Sequence, residues 1–162
     1  MPPAPRVIAY HKPKGLVTTH HDELGRETVY DRLRAHLPPA SRSIGWHAIG
    51  RLDQDTTGLL LFTDDGGLMH HATQPGTKLT KTYRALVKGL LDEATLERLR
   101  AGVELTGGLG RSGPAEVTLV DHQIATSWID LTITEGKNRQ VRRRLLAFAS
   151  QVIRLQRTRI GG

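Results

Sequence analysis

The alternation of apolar and polar positions along the chain predicts short strands separated by turns and helices. Strand-like segments are expected at residues 6–10, 59–62, 82–87, 115–120, 127–134 and 152–155. The segment 127–134 alternates most clearly, because Ile129, Leu131 and Ile133 would share one face of a strand and the intervening residues the other. The uninterrupted apolar run 59–62 is instead typical of a strand buried on both faces.

Helices are predicted where apolar residues recur three or four positions apart. They are expected at 28–37, ending before Pro38-Pro39, at 67–72, at 92–100 with Asp92 as N-cap, and at 139–149, whereas 38–45 is a polar connection. Strands and helices are interspersed without a regular βαβ rhythm, which favours an α+β fold with a mixed or antiparallel sheet. The 162 residues suit one domain, or two small lobes that share a core.

The excess of basic over acidic residues indicates what kind of partner the protein binds. Lys and Arg number 23 against 16 Asp and Glu, a net charge of +7, which points to a polyanion such as nucleic acid. A basic but merely solvated surface is the alternative. The positions favour a patch, because residues 137–159 contain eight basic and no acidic residues: Lys137, Arg139, Arg142, Arg143, Arg144, Arg154, Arg157 and Arg159.

The absence of cysteine and of long apolar runs restricts the setting. Without cysteine there are no disulfides, thiol catalysis or cysteine zinc sites, which fits a reducing compartment. No apolar run approaches the ~20 residues of a membrane span. A cytoplasmic protein without membrane attachment is therefore expected.

The polar segment 50–58, just before the apolar run, contains the first candidate site. Arg51 and Asp53 are two positions apart, so in extended backbone they share a face and can form an ion pair. Such a pair would keep the carboxylate ionised, as a nucleophile or base requires. On chemistry alone, however, a surface turn rich in Asp, Thr and Gly is the preferred interpretation.

Two further segments carry candidate nucleic-acid contacts. Tyr83 opens a strand and can stack on an unpaired base, although an ordinary half-buried tyrosine is the simpler interpretation. The predicted helix 139–149 has a cationic side, made of Arg139, Arg142 and Arg143 with Leu146, and an apolar side, made of Val141, Leu145, Phe148 and Ala149. Arginines in the first turns interact unfavourably with the helix dipole, and RNA phosphate would compensate for this unfavourable interaction.

No metal or nucleotide cofactor is predicted. The adjacent pairs His20-His21 and His70-His71 lack the i, i+4 spacing of a helical zinc site. A phosphate-binding glycine loop in a strand-to-helix context is also absent from the sequence.

Taken together and in order, four segments resemble the pseudouridine synthases that modify ribosomal RNA. They are His11-Lys12-Pro13-Lys14-Gly15, the stretch 50–66 with Gly50-Arg51-Leu52-Asp53, then Lys81-Thr82-Tyr83, and the stretch 135–143. The resemblance is to the branch that acts on stem-loops of small- and large-subunit RNA, and it covers about residues 7–160. It implies a mixed, largely antiparallel central sheet flanked by helices, with the active cleft across the sheet.

The resemblance also implies residue roles. Asp53 would be the catalytic aspartate, Tyr83 would stack on the target uracil, and Lys137 would pair with the aspartate. Arg51 would help to hold the flipped-out nucleotide. The side chains expected to support the cleft and to meet RNA are Lys12, Lys14, Lys81, Arg139, Gln140, Arg142 and Arg143. Leu131 and Ile133 are candidates for lining the uracil pocket, and which of the two points inward stays open.

The implied activity is the cofactor-independent isomerisation of a uridine to pseudouridine by a monomer, with large-subunit ribosomal RNA as the expected substrate. The alternative is a non-catalytic RNA-binding or ribosome-assembly protein on the same fold. The set Asp53, Tyr83 and Lys137 favours the enzyme, because a pure binder has no need of an ionised carboxylate among cations.

Three departures from the family pattern carry expectations. About six residues precede the first strand, so the small N-terminal RNA-binding domain of many relatives is expected to be missing. The C-terminal end is expected to be truncated. Arg144 stands where the family usually has Met, which adds charge.

Overall fold

The computed structural model divides the chain into two units, Met1–Thr77 and Lys78–Gly162. The structure describes residues 4–74, 76–77, 79–102, 104–105, 110–134, 139–148 and 151–161. Within each unit the strands pair antiparallel, and helices lie between some of them along the chain. The predicted α+β class with a largely antiparallel arrangement is therefore confirmed.

The first unit pairs its strands around a central one. Its elements are β1 (Val7–Lys12), α1 (Val29–His36), α2 (Pro39–Arg42), β2 (His47–Ile49), β3 (Thr57–Thr63) and α3 (Gly66–Thr73). Both β1 and β2 pair with β3, so that Val7 and His47 each lie opposite Thr63. The segment between β2 and β3 contains Asp53.

A capping box starts α1 where the sequence predicts a helix. The Thr28 hydroxyl accepts from the backbone N–H of Asp31 at 3.2 Å, and the Asp31 carboxylate accepts from the N–H of Thr28 at 3.0 Å. Val29 and Leu33 are buried one turn apart. The helix ends before Pro38, as predicted.

The first unit departs from the sequence prediction in two places. Leu60 and Phe62 are fully buried, but Leu59 and Leu61 are only half-buried, so the prediction that β3 is buried on both faces is wrong. An antiparallel sheet commonly leaves one face partly solvated. The elements α2 and β2 were not predicted, because four and three residues are too few to show a period.

The elements of the second unit are β4 (Lys81–Lys88), α4 (Glu93–Ala101), β5 (Glu104–Leu105), β6 (Gly110–Arg111), β7 (Glu116–His122), β8 (Thr126–Ile133), α5 (Gln140–Leu146) and β9 (Val152–Ile160). Its described strands form a sheet in the order β9-β4-β8-β7 and the separate antiparallel pair β5-β6. In β8, Ile129, Leu131 and Ile133 are buried while the intervening residues are not, which confirms the predicted alternation.

Arg144 on α5 is wholly buried and ties two parts of the second unit together. Its Nε and Nη2 donate to the carbonyl of Leu99 at 3.2 and 2.7 Å, and Nη2 also donates to the carbonyl of Gly113 at 2.5 Å. The Leu99 carbonyl lies in the last turn of α4, where carbonyls lack helical partners. The charge that Arg144 adds therefore lies inside the unit, where its guanidinium group donates to backbone carbonyls.

Replacing Arg144 with methionine is expected to destabilise the protein by about 1–3 kcal/mol. Methionine fills a similar space but leaves the carbonyls of Leu99 and Gly113 without their donor. Urea unfolding measures the difference, and Arg154→Met, at an exposed arginine of β9, is the matched control. Equal stability of Arg144→Met and wild type would show that packing of the methionine offsets the missing hydrogen bonds.

Two features are absent from the described part of the chain. None of its helices has both the length and the apolar character that crossing a membrane requires. Nor does it bring three His, Asp or Glu side chains together in a group that could hold a metal ion.

Candidate functional site

The loop that carries Asp53 is held by hydrogen bonds both before and after this residue. Leu52 is buried, and the Thr18 hydroxyl donates to its carbonyl at 2.8 Å and accepts from its N–H at 3.3 Å. The carbonyl of Asp53 accepts from the N–H of Thr56 at 3.1 Å. The loop begins at Gly50, whose φ of 80° few other residues adopt. The half-buried Asp53 is thus presented from a defined backbone, as a catalytic group requires.

Lys12 lies beneath this loop and holds it. Its side chain is fully buried, and Nζ donates to the carbonyls of Thr56 at 2.8 Å, Pro13 at 3.1 Å and Gln54 at 3.4 Å. The sequence predicts an RNA contact for Lys12, and this is wrong because no part of the side chain reaches the surface. The ammonium instead joins the end of β1 to the loop that contains Asp53.

The buried ammonium is electrostatically linked to two carboxylates of the loop. Burial lowers the pKa of Lys12 to about 8, while the charges of Asp55 and then Asp53 act in the opposite direction. Lys12 is therefore still mainly protonated at pH 7. It supplies a positive charge to the Asp53 loop from the interior of the unit.

Arg51 does not form the ion pair with Asp53 that the sequence predicts. Its side chain is exposed, and no salt bridge joins the two residues, both of which are described. A long solvated side chain gains little from an exposed ion pair and loses rotamer freedom in forming it. The charge of Lys12, by contrast, does interact with that of Asp53.

Lys12→Met is expected to change the pH dependence of stability. The ordinary pKa of 10.5 applies to the unfolded chain and a pKa of about 8 to the folded one, so between these pH values only the unfolded state holds the proton. Wild-type stability should therefore rise by up to ~3 kcal/mol relative to Lys12→Met as pH rises from 8 to 10.5.

Denaturant unfolding at several pH values across this window measures the effect. Lys14→Met is the matched control, because Lys14 is an exposed lysine two residues away and should leave the wild-type pH dependence unchanged. A difference between wild type and Lys12→Met that stays constant with pH would contradict the prediction.

Tyr83 lies on the buried face of β4 in the second unit. It is directly opposite Leu131 on β8 and Arg157 on β9. The pairing of β4 with β9 shifts register between Thr82 and Tyr83, and such irregularities often re-aim a side chain beside a functional site. Leu131 and Ile133 are both buried on the same face of β8, so both candidates point inward, with Leu131 directly across from Tyr83.

Arg157 is a residue next to Tyr83 that sequence reasoning did not select. Only 3% of its surface is exposed, although it belongs to a strongly basic stretch. The available signal was its spacing from Leu155, since residues two apart on a strand share a face. Burial, and then the charge of Arg157, lower the pKa of Lys81 at the start of β4. Arg157 therefore lies beside Tyr83 in the sheet and also acts electrostatically on Lys81.

The structure buries more of α5 than its sequence pattern predicts. Val141 and Leu145 are buried, as predicted for the apolar side of the helix. Gln140 and Arg142 are also buried, although the sequence places them with the side chains that meet RNA. The cationic surface predicted for this helix is therefore narrower than the sequence indicates.

Four of the cations that are predicted to contact RNA are at least partly accessible. Arg139 and Lys14 are exposed, and Arg143 and Lys81 are half-buried. Arg139 precedes α5 with φ 49° and ψ 30°, a left-handed conformation that costs a side-chain-bearing residue free energy. Lys137, with the rest of 135–138, lies outside the described residues.

Comparison with known proteins identifies the family. The model of the family described as RNA pseudouridylate synthase matches residues 6–147. Ribosomal large subunit pseudouridine synthase B of Pasteurella multocida (strain Pm70) is 43% identical over 159 residues, spanning 96% of this chain and 43% of that protein. The protein of the same name from Escherichia coli (strain K12) is 42% identical, over 96% of this chain and 51% of its own length.

A solved structure agrees with these relatives. The chain described as the crystal structure of pseudouridylate synthase superposes with a TM-score of 0.82 at 31% identity, over 98% of this chain and 64% of that one. The present chain spans about half the length of the curated relatives it matches. On the family match and these similarities, this chain belongs to the RNA pseudouridylate synthase family.

Proposed function

We propose that this chain isomerises a uridine of ribosomal RNA to pseudouridine, with Asp53 as the catalytic carboxylate. The observation that carries the proposal is the loop 50–56, in which a sequence resembling the family's catalytic motif presents Asp53 from a backbone held by Thr18 and Lys12. A loop that only bound RNA would gain nothing from a carboxylate, which repels phosphate.

The proposed reaction rearranges the atoms of one nucleotide. The N1–C1′ bond breaks, the uracil turns, C5 bonds to C1′, and the proton on C5 leaves while N1 gains one. Product and substrate are isomers, so no co-reactant is consumed. The base must leave the RNA stack, which costs a few kcal/mol and favours unpaired or loop uridines. Asp53 either attacks C1′ or takes a proton from C2′.

The remaining site residues have supporting roles in this proposal. Tyr83 stacks on the uracil and takes the C5 proton late in the reaction, and Leu131 and Ile133 line the pocket on its side. The proposal keeps the roles that the family resemblance implies for Lys137, as the partner of the catalytic aspartate, and for Arg51, as a support for the flipped nucleotide. The exposure of Arg51 supports a role toward RNA rather than toward the carboxylate.

The proposed substrate is large-subunit ribosomal RNA, recognised at a stem-loop or an unpaired uridine. Support comes from the names of the relatives that are 43% and 42% identical and from the net charge of +7. We propose that the protein acts as a monomer in the cytoplasm, together with this RNA.

Mapping pseudouridines tests the function directly. Ribosomal RNA from cells with and without the protein is compared, and the purified chain is incubated with transcribed large-subunit RNA. The proposal expects one position to disappear from the cellular map and the same position to be modified in vitro. An unchanged map together with no product in vitro overturns the proposal that the protein is an enzyme. RNA binding retained under that outcome would support a non-catalytic RNA-binding or ribosome-assembly protein.

The accessible arginines just before and within α5, Arg139 and Arg143, are expected to bind RNA phosphate. Replacing Arg139 and Arg143 together with glutamine should weaken RNA binding and reduce the slope of log Kd against log salt by about 0.7 for each phosphate that the protein no longer neutralises. Fluorescence anisotropy with a labelled ribosomal RNA stem-loop measures the slope. Arg84→Gln is the control, because Asp130 already pairs with Arg84 at 2.9 and 3.0 Å. A double variant with the wild-type slope would remove α5 from the RNA interface.

A further inference from the structure

A cavity of about 280 Å³ lies beside α1 in the first unit. Its wall includes three ring systems, His20, Tyr30 and Trp46, and two cations, Arg34 and Arg42. None of the residues that line it belongs to the Asp53 loop, and none of them carries a carboxylate. The cavity is therefore lined by other residues than the Asp53 loop, and its wall is aromatic and positively charged.

The aromatic wall is held in place by contacts inside the unit. The His20 ring stacks on Tyr30 with 3.8 Å between centroids and 16° between planes. The Tyr30 hydroxyl accepts from the N–H of Ala48 at 2.9 Å, and its ring meets Phe62 edge-on at 5.6 Å. His20 itself is exposed. The His47 ring meets it at 78° with 6.4 Å between centroids, so among the described residues Tyr30 is the ring stacked on His20, and the exposed ring can take another planar group.

His20 is suited to stacking rather than to ion pairing. Partial burial, then the charges of His47 and Arg34, lower its pKa below the ordinary 6.5. The ring is therefore neutral at pH 7. The positive charge of the cavity comes from its arginines.

The two arginines are available to an anion. Arg42 is anchored, because its Nε donates to the carbonyl of Leu37 at 3.0 Å, and among the described residues no carboxylate pairs with it. Arg34 reaches Asp31 only at 3.9 Å. By contrast, Arg32 of the same unit is bound by Glu27 through two hydrogen bonds of 2.9 Å.

We propose that this cavity is a second RNA subsite, which takes one unpaired base against His20 and the adjoining phosphate on Arg34 and Arg42. A neutral ring offers the stacking surface that any base accepts, and guanidinium groups suit phosphate oxygens. The volume falls just below the ~300 Å³ of the smaller ligand sites, so it suits one base rather than a longer segment. The subsite rests on the proposed function in taking its nucleotide from the same RNA.

The test measures RNA affinity against salt with a labelled stem-loop of large-subunit ribosomal RNA. Arg34→Gln with Arg42→Gln should flatten the salt slope by about 0.7 for the phosphate released. His20→Ala should weaken binding roughly tenfold at every salt concentration with an unchanged slope, and His20→Trp should restore it. Arg32→Gln, the arginine already paired with Glu27, is the matched control and should behave as wild type.

The outcomes separate this subsite from the proposed function. Wild-type affinity and slope in both the His20→Ala and the double arginine variants overturn the subsite, whether or not the protein forms pseudouridine. Weaker binding in these variants supports it even if no pseudouridine is found. For the double arginine variant, a weakening per removed charge equal to that of Arg32→Gln overturns the subsite, because it would reflect net charge alone. A wild-type protein that does not bind the RNA overturns both proposals.

Discussion

Replacing Asp53 with asparagine is expected to abolish pseudouridine formation while RNA binding stays within about twofold of wild type. Asparagine has the same shape, but its amide neither attacks C1′ nor accepts a proton from C2′. Loss of a nucleophile or essential base lowers the rate by roughly 10⁴-fold or more. The measurement is single-turnover pseudouridine formation on a transcript that contains the mapped uridine.

The neighbouring carboxylate provides the control for this variant. Asp55 belongs to the same loop and also interacts electrostatically with Lys12, so Asp55→Asn changes the charge of the loop by the same amount. Near-wild-type turnover in Asp55→Asn, beside its loss in Asp53→Asn, would assign the chemistry to Asp53. Measurable wild-type turnover in Asp53→Asn would sink the assignment.

Replacing Tyr83 with phenylalanine is expected to have the second-largest effect. The ring and its place between Leu131 and Arg157 are kept, so stacking on uracil and the fold should survive. The variant lacks the hydroxyl that we propose takes the C5 proton, and loss of a general base costs about 10²–10⁴-fold in rate. Release of tritium from RNA labelled at C5 of uridine follows this step.

The same exchange at another tyrosine tests whether losing a hydroxyl is enough. Tyr10 on β1 is a half-buried tyrosine of the first unit. Tyr10→Phe removes its hydroxyl and should leave tritium release unchanged. Wild-type release in Tyr83→Phe would restrict Tyr83 to stacking. In that case Tyr83→Ala should still lose binding or rate, because the platform itself would be gone.

Local patterns in the sequence predicted those elements whose causes lie within a few residues. The capping box of α1 joins Thr28 and Asp31, three positions apart. Asp92 accepts from the N–H of Thr95 at 2.8 Å and starts α4 where the sequence predicts a helix. The period of two in β8 likewise follows from backbone geometry. Such features need no information about distant parts of the chain.

Features that depend on distant partners were not predicted. The sequence pattern ends the last strand near Leu155, whereas β9 continues to Ile160 because β4 supplies its hydrogen-bonding partners. The burial of Arg157 has the same origin, since it follows from the strand face that pairs with Tyr83. A basic stretch carries no sign of which of its members will be covered.

The sequence by itself determined the α+β class, the four ordered family segments and, through them, the choice of Asp53. The tertiary structure alone decided which of the basic residues are buried in the fold and which stay accessible. Lys12 and Arg144 are wholly buried. Burying a charge requires hydrogen-bond acceptors. Those acceptors are carbonyls 31 to 45 positions away in the chain, apart from Pro13 beside Lys12. No local pattern records such a partner, so these residues resemble surface cations until the chain is folded.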